Sequence, residues 1–275
     1  MGSSLDSYMS DSGQLFPKAK VVHVDLRADA IGRMTPVDVG VVGDADATVR
    51  RLLEILDGER DSNPEGFRTA ETAKRLAAAD GPTDRNYSST PGRLDPRELT
   101  DVLDDRLPSG RIIVTDTGHS ILFAAQRIGH FEHPRDRVWT SDFGAVGVAL
   151  AIGIGVAMAR PEKQTITFIG DGAFLMALHE LDTAVRHRVR LTVVILNNEE
   201  FGSEVRHLVK MGEPADLARF DTPDLAAVAS ALGCEAVTVR NREELEAAAD
   251  RIGSASVPFV IDAKIDAEVV HPTRG

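Results

Sequence analysis

Residues 165–196 carry a strand, a tight turn, a helix and a second strand, with a short polar motif at each strand end. The run Thr165 to Ile169 reads as a buried strand and is followed by Gly170, Asp171 and Gly172. Phe174, Leu178, Leu181 and Val185 then recur at helical spacing, and Leu191 to Leu196 is a second buried strand that ends at Asn197 and Asn198. The 24 residues 173–196 separate the two motifs, enough for one helical crossover. Such a unit puts Asp171 and Asn198 at the carboxyl ends of neighbouring parallel strands, where open α/β sheets bind ligands.

A carboxylate and an amide oxygen are hard ligands. They suit Mg2+, which takes few protein ligands and fills its octahedron with water and phosphate oxygens. The flanking glycines let the backbone approach a phosphate closely. The helix expected from near Ala173 offers that phosphate unpaired N–H groups and a positive dipole end. Gly170 to Gly172 alone reads as an ordinary strand-to-helix turn. The Asn pair one crossover later is what favours a metal-bridged diphosphate.

The same alternation fills the second half of the chain. Strands at Arg111–Thr115, Val138–Ser141, Thr165–Ile169, Leu191–Leu196, Glu235–Val239 and Pro258–Lys264 alternate with helical stretches, which predicts a doubly wound parallel α/β sheet over residues 97–275. Residues 59–96 are polar and Pro/Gly-spaced, with one helix at Ala70–Ala79, and read as a linker. Ahead of them, strands at residues 20–26 and Val37–Val42 and a helix at Asp44–Leu56 make a small α/β fragment within residues 1–58. Val49, Leu52, Leu53 and Leu56 share one face of that helix. The fragment is too small to be a comfortable independent domain.

A net charge of −12 argues against a nucleic-acid surface and leaves no basic stripe for a membrane. The longest apolar stretch, Val146–Ala159, is too short to span a bilayer, and no charged and apolar leader opens the sequence. The single Cys234 excludes an internal disulfide and fits a reducing cytoplasm. Its place between a helical stretch and a strand predicts a buried thiol. No His pair has zinc-ligand spacing.

Gly170-Asp171-Gly172 followed by Asn197-Asn198 resembles the signature of the thiamine diphosphate (ThDP) enzyme family, in its acetolactate synthase-like branch. Residues 97–275 resemble the whole diphosphate-binding domain of that family. Val22–Asp25, Ala30–Gly32, Pro36–Asp38 and Val42–Asp44 resemble landmarks at the end of its central domain. The resemblance implies that Asp171 and the Asn198 side chain bind Mg2+, with the backbone carbonyl of Glu200 as third protein ligand. It implies that Gly172 and Ala173 contact the diphosphate through backbone N–H groups, with Gly118 and His119 on its other side. From the residues alone, a simple helix cap at Asp116 or Thr117 is the alternative there. The resemblance gives the Gly144 carbonyl to the cofactor's aminopyrimidine and makes Val146 a wedge beneath the cofactor. By itself, Val146 reads as core packing, and the Gly144–Gly147 frame around it favours the cofactor role. Gly170, Phe201 and Gly202 complete the implied cofactor-binding set. Glu204 and His207, three apart on one helix face, and His119 are candidate proton carriers for the reacting substrate. The bland alternative for Glu204 and His207 is a solvated helix face.

Some positions depart from the family pattern. Ala151 stands where Pro is common, Gly153 where Ala is, Asp142 where a small residue is usual, and Phe201 replaces a frequent Tyr. The activating Glu of the family lies on a pyrimidine-binding domain, usually N-terminal, and no residue here is assigned to it. The resemblance therefore implies ThDP and Mg2+ binding and a part in 2-oxo acid decarboxylation and carboligation, and leaves FAD use open. It implies a homo-oligomer, or a partner chain that carries the pyrimidine-binding domain. A lone chain is expected to expose an apolar face around Val146–Ala159 and the Phe174 helix. Two alternatives stay open: a subunit of a split 2-oxo acid decarboxylase, and a non-catalytic ThDP-binding or regulatory subunit.

Overall fold

The structure, a computed structural model, describes residues 1–10, 14–57, 68–78, 85–141 and 144–271. Asp142, Ala79 and the linker stretches 58–67 and 79–84 lie outside the described residues. The chain divides into two units, Met1–Ala79 and Asp80–Gly275.

In the first unit, a short helix α1 (Ser7–Ser10) precedes two strands, β1 (Val22–Asp25) and β2 (Val39–Val42), which pair in parallel. Helix α2 (Ala45–Asp57) follows; the Asp44 carboxylate caps it by accepting the Ala47 N–H at 2.9 Å. The expected apolar face of α2 is present but not covered, and none of its residues is buried. Helix α3 (Ala70–Ala78) ends the unit.

The second unit holds six parallel strands: β3 (Arg111–Thr115), β4 (Arg137–Trp139), β5 (Gln164–Gly170), β6 (Leu191–Asn197), β7 (Glu235–Val239) and β8 (Phe259–Lys264). Their order across the sheet is β4-β3-β5-β6-β8-β7. Helices α4 (Pro96–Arg106), α5 (Ile121–Arg127) and α11 (Arg242–Ala249) cover one face. There Leu99, Leu103, Ile121 and Leu245 pack on Phe168, Val194, Leu196 and Phe259. Helices α6 (Val148–Ala159), α7 (Asp171–Ala177), α8 (Glu180–Arg186) and α10 (Leu225–Ala231) cover the other. Leu150, Ile154, Phe174, Leu181 and Leu225 meet Ile169, Val193, Ile195 and Val260 there. Alternate residues of one strand thus serve opposite cores, so all seven residues of β6 are buried and it reads as a continuous apolar run. Each large side chain so buried contributes about 1.5–3 kcal/mol.

This order fixes the ligand crevice. After β3 the chain moves outward to β4, then returns past β3 to β5 and runs the other way. The reversal lies between β3 and β5, whose carboxyl ends lead into Asp116 and Asp171.

Three sequence expectations are adjusted. The crossover helix begins at Asp171, with Gly170 as its N-cap, not near Ala173. It is also two helices: Leu181 and Asp182 donate to Leu178 and His179, three residues back, and this tighter step separates α7 from α8. Phe174 and Leu181 still share one buried face, so the apolar spacing conceals the break. The strand expected at Val138–Ser141 is shorter and earlier, at Arg137–Trp139. Cys234 is buried as expected, and burial pushes its thiol up to about 11, which keeps it protonated at neutral pH.

Candidate functional site

Asp171 opens α7 at the end of β5, and Asn198 follows the end of adjacent β6. The two motifs are joined directly. Asp171 Oδ2 accepts the backbone N–H of Glu199 at 2.6 Å, while Oδ1 accepts that of Gly172 at 2.8 Å. Asp171 is 2% exposed, and no Lys or Arg pairs with it among the described residues. Burial raises its pKa to about 6, and nearby Asp262 pushes in the same direction. A buried carboxylate without a cation is the electrostatic setting that a bound metal ion would relieve.

The next two residues present further oxygens. Asn198 Nδ2 donates to Glu200 Oε1 at 3.2 Å, which turns the amide oxygen away from that carboxylate. Glu199–Phe201 runs antiparallel to Ala218–Phe220, with Phe220 N–H bonded to Glu199 O and Phe201 N–H to Ala218 O. In this pattern Glu200 is the residue whose own carbonyl points out of the ladder. A carboxylate, an amide oxygen and a free carbonyl therefore lie at adjacent strand ends. Among the described residues no group of three or more His, Cys, Asp or Glu side chains could hold a metal. An ion here would rely on this mixed oxygen set plus oxygens from water or a phosphate, which fits Mg2+.

Gly172 lies under Phe201. A Cβ on Gly172 would stand 2.4 Å from Phe201 Cε1, so only glycine fits beneath the ring. Phe201 caps α9 (Gly202–Met211) and packs with Val205, Leu208, Ala215 and Ala218. Glu204 and His207 lie on the exposed side of α9. The buried Glu200 carboxylate accepts from Arg206 Nη1 at 3.2 Å and lies 3.7 Å from Arg219 Nε.

Across the crevice, Asp116 is not a helix cap. Helix α5 starts after Ser120, and Asp116 Oδ2 instead accepts the N–H of Gly147 at 2.7 Å. Burial raises the Asp116 pKa. This bond fixes the turn before α6, in which Val146 stands 38% exposed, ahead of the helix and outside the core. Gly118 and Gly144 have left-handed backbones, and among the described residues no atom lies within 4 Å of where a Cβ would stand on either. Gly170, whose backbone is extended, also has no described atom within 4 Å of where a Cβ would stand. Open space thus borders three of the five glycines that the resemblance assigns to the cofactor, while Gly172 lies against Phe201 and Gly202 against Arg206. Ala173, also in that set, is buried in the first turn of α7.

His119 is held as a neutral ring. Its Nε2 accepts the N–H of His271 at 2.9 Å, and burial, with Arg206 and His271, lowers its pKa to about 4. With Nε2 taken as an acceptor, Nδ1 carries the proton, so His119 is a hydrogen-bond donor at neutral pH and not a base.

Several of these groups carry no signal in the sequence. Arg219 beside Glu200 and the Asp116–Gly147 bond depend on contacts between separate segments, and the Glu200–Arg206 pair six residues apart follows no helix or strand spacing. The turn around Gly144 to Gly147 was the one available hint.

Residues 116–263 match the family profile described as thiamine pyrophosphate enzyme, C-terminal TPP binding domain. A candidate acetolactate synthase large subunit of Mycobacterium tuberculosis, IlvB2, is 34% identical over 94% of this chain and 45% of its own length. The acetolactate synthase isozyme 2 large subunit of Escherichia coli is 26% identical over 97% of this chain and 47% of its own. The chain thus spans about half the length of these relatives. Among solved structures, a thiamine diphosphate-dependent 4-hydroxybenzoylformate decarboxylase from Rhodococcus jostii superposes with a TM-score of 0.65 at 20% identity, over 90% of this chain and 44% of that one. That likeness shows a shared α/β fold.

Proposed function

The chain belongs to the thiamine pyrophosphate enzyme family, and we propose that its second unit binds ThDP through Mg2+ and takes part in acetolactate synthase-like decarboxylation and carboligation of 2-oxo acids. The observation that carries this reading is the convergence of Asp171, Asn198 and the Glu200 carbonyl at the ends of adjacent strands, bound together by the Glu199–Asp171 hydrogen bond. In this reading those three groups hold the metal. Ala173, and Gly172 whose N–H the Asp171 carboxylate accepts in the structure, face the diphosphate, with Gly118 and the Nδ1–H of His119 on its far side. Gly170, Phe201 and Gly202 wall the metal end.

At the other end, the Gly144 carbonyl accepts from the aminopyrimidine and Val146 supports the cofactor from below. The Asp116–Gly147 bond keeps both in place. When bound, ThDP supplies the nucleophile and the electron sink for breaking the bond between the carboxylate and the carbonyl carbon of a 2-oxo acid. The chain's own residues bind and orient it. Glu204 and His207, exposed on α9, are the candidates for moving protons on the substrate side.

A pyrimidine-binding domain outside these 275 residues supplies the activating Glu, and its docking completes the site. Val146, Ile152, Met158 and Met176 are each more than a third exposed on α6, α7 and the turn before α6, and form the surface proposed to be covered by a second copy or by that domain. The single, buried Cys234 fits the cytoplasmic location proposed for the chain, and among the described residues no helix is long and apolar enough to cross a membrane. The test is product analysis by NMR after incubation with pyruvate, ThDP and Mg2+ and a separately produced pyrimidine-binding domain. Acetolactate supports the proposal. Acetaldehyde alone assigns a decarboxylase, and no turnover despite cofactor binding assigns a non-catalytic role.

A further inference from the structure

Glu199 stands between the two groups assigned to the metal and is not itself one of them, yet its backbone is the least ordinary at the site. Its φ is +61°, a left-handed conformation that a non-glycine residue keeps only when its surroundings impose it. Three backbone and side-chain contacts impose it here. Its N–H donates to Asp171 Oδ2 at 2.6 Å, and its carbonyl accepts from Phe220 N–H at 3.0 Å. Its carboxylate forms an ion pair with Arg93.

Arg93 comes from a rigidly held segment. Leu94 N–H donates to Lys264 O at 2.7 Å, and Asp266 N–H donates to Leu94 O at 2.9 Å, so the segment pairs in parallel with the residues that follow β8. Thr90 N–H donates to Asp266 Oδ2 at 2.6 Å. Each side chain of the pair is 30% exposed, so water screens it only in part.

We propose that Arg93 and Glu199 form a latch that holds the turn between Asn198 and Glu200 in its left-handed form and so positions the Asn198 amide and the Glu200 carbonyl for a divalent cation. This inference rests on the metal reading of Asp171 and Asn198. Both latch residues are positioning residues. The latch predicts the opposite of simple Coulomb attraction. Removing Arg93 takes away a positive charge near the metal, so electrostatics alone would tighten cation binding. Loss of the latch weakens it.

The experiment uses the full chain. Amide hydrogen exchange at Glu199 and Phe220 is measured by NMR without ligand, and the apparent Mg2+ affinity is measured by calorimetry at fixed ThDP. Wild type, Arg93→Ala, Glu199→Gly, the double variant and Asp171→Ala are compared. Arg93→Ala should speed Glu199 exchange about tenfold or more and weaken Mg2+ binding about three- to tenfold. Glycine adopts the left-handed turn without help, so adding Glu199→Gly to Arg93→Ala should recover most of that affinity. The latch is overturned if Arg93→Ala leaves exchange unchanged, if it leaves Mg2+ affinity equal or tighter, or if the double variant binds no better than Arg93→Ala. Absence of Mg2+-dependent ThDP binding in wild type would count against the functional reading, and the exchange result would still decide the latch.

Discussion

The backbone N–H of Glu199 meets Asp171 Oδ2 at 2.6 Å, so the loop after β6 is fastened to the first residue of α7. Two motifs 24 residues apart thereby become one oxygen-rich site at the carboxyl ends of adjacent strands.

Asp171 makes cofactor binding sensitive to acid. Burial raises its pKa from 3.8 to about 6, and only the carboxylate binds a metal ion. Mg2+-dependent ThDP affinity should therefore fall as pH drops through about 6, seen by calorimetry from about pH 7.5 to about pH 5. Stability responds in the other direction: the folded state holds this proton more tightly than the unfolded chain, so acidification through this window favours folding at Asp171. His119 opposes it, because its pKa lies below its ordinary value and stability is lost as pH falls from 6.5 toward 4. Affinity is thus the cleaner readout, and a flat affinity profile would rule out Asp171 as the titrating ligand.

Gly172→Ala should destabilise the protein by about 1–3 kcal/mol, because its Cβ would stand 2.4 Å from the Phe201 ring. Denaturant unfolding measures this. Combining it with Phe201→Ala should cost less than the sum of the two single changes, since the second opens the space the first needs. Strict additivity would mean that the two residues do not press on each other.

Gly153 illustrates how a departure from a family pattern acquires a cause. A Cβ there would stand 2.1 Å from Thr167 Oγ1. Gly153→Ala should therefore destabilise α6 on β5 despite a helix-propensity gain of about 1 kcal/mol. In a Thr167→Ala background the same change should turn stabilising by up to about 1 kcal/mol. Thermal or denaturant unfolding of the four proteins decides it, and the same sign in both backgrounds would refute the contact.

The sheet and the place of Asp171 and Asn198 at adjacent strand ends were legible because buried parallel strands read as short apolar runs. The break between α7 and α8 was not legible, since a step to three-residue hydrogen bonds keeps Phe174 and Leu181 on one face. The approach of Arg219 to the Glu200 carboxylate was hidden for another reason. It depends on the return of residues 218–220 alongside 199–201, a pairing with no local signal. Asp116 read as a possible cap because its true partner, the Gly147 N–H, lies 31 residues away.

The most direct test of the account is calorimetry of ThDP binding to wild type and Asp171→Ala, each with and without Mg2+. The predicted result is binding to wild type that requires Mg2+ and weakens by about a hundredfold or more in Asp171→Ala, roughly 3 kcal/mol. Equal affinity in all four titrations would contradict the metal-bridged site at its centre.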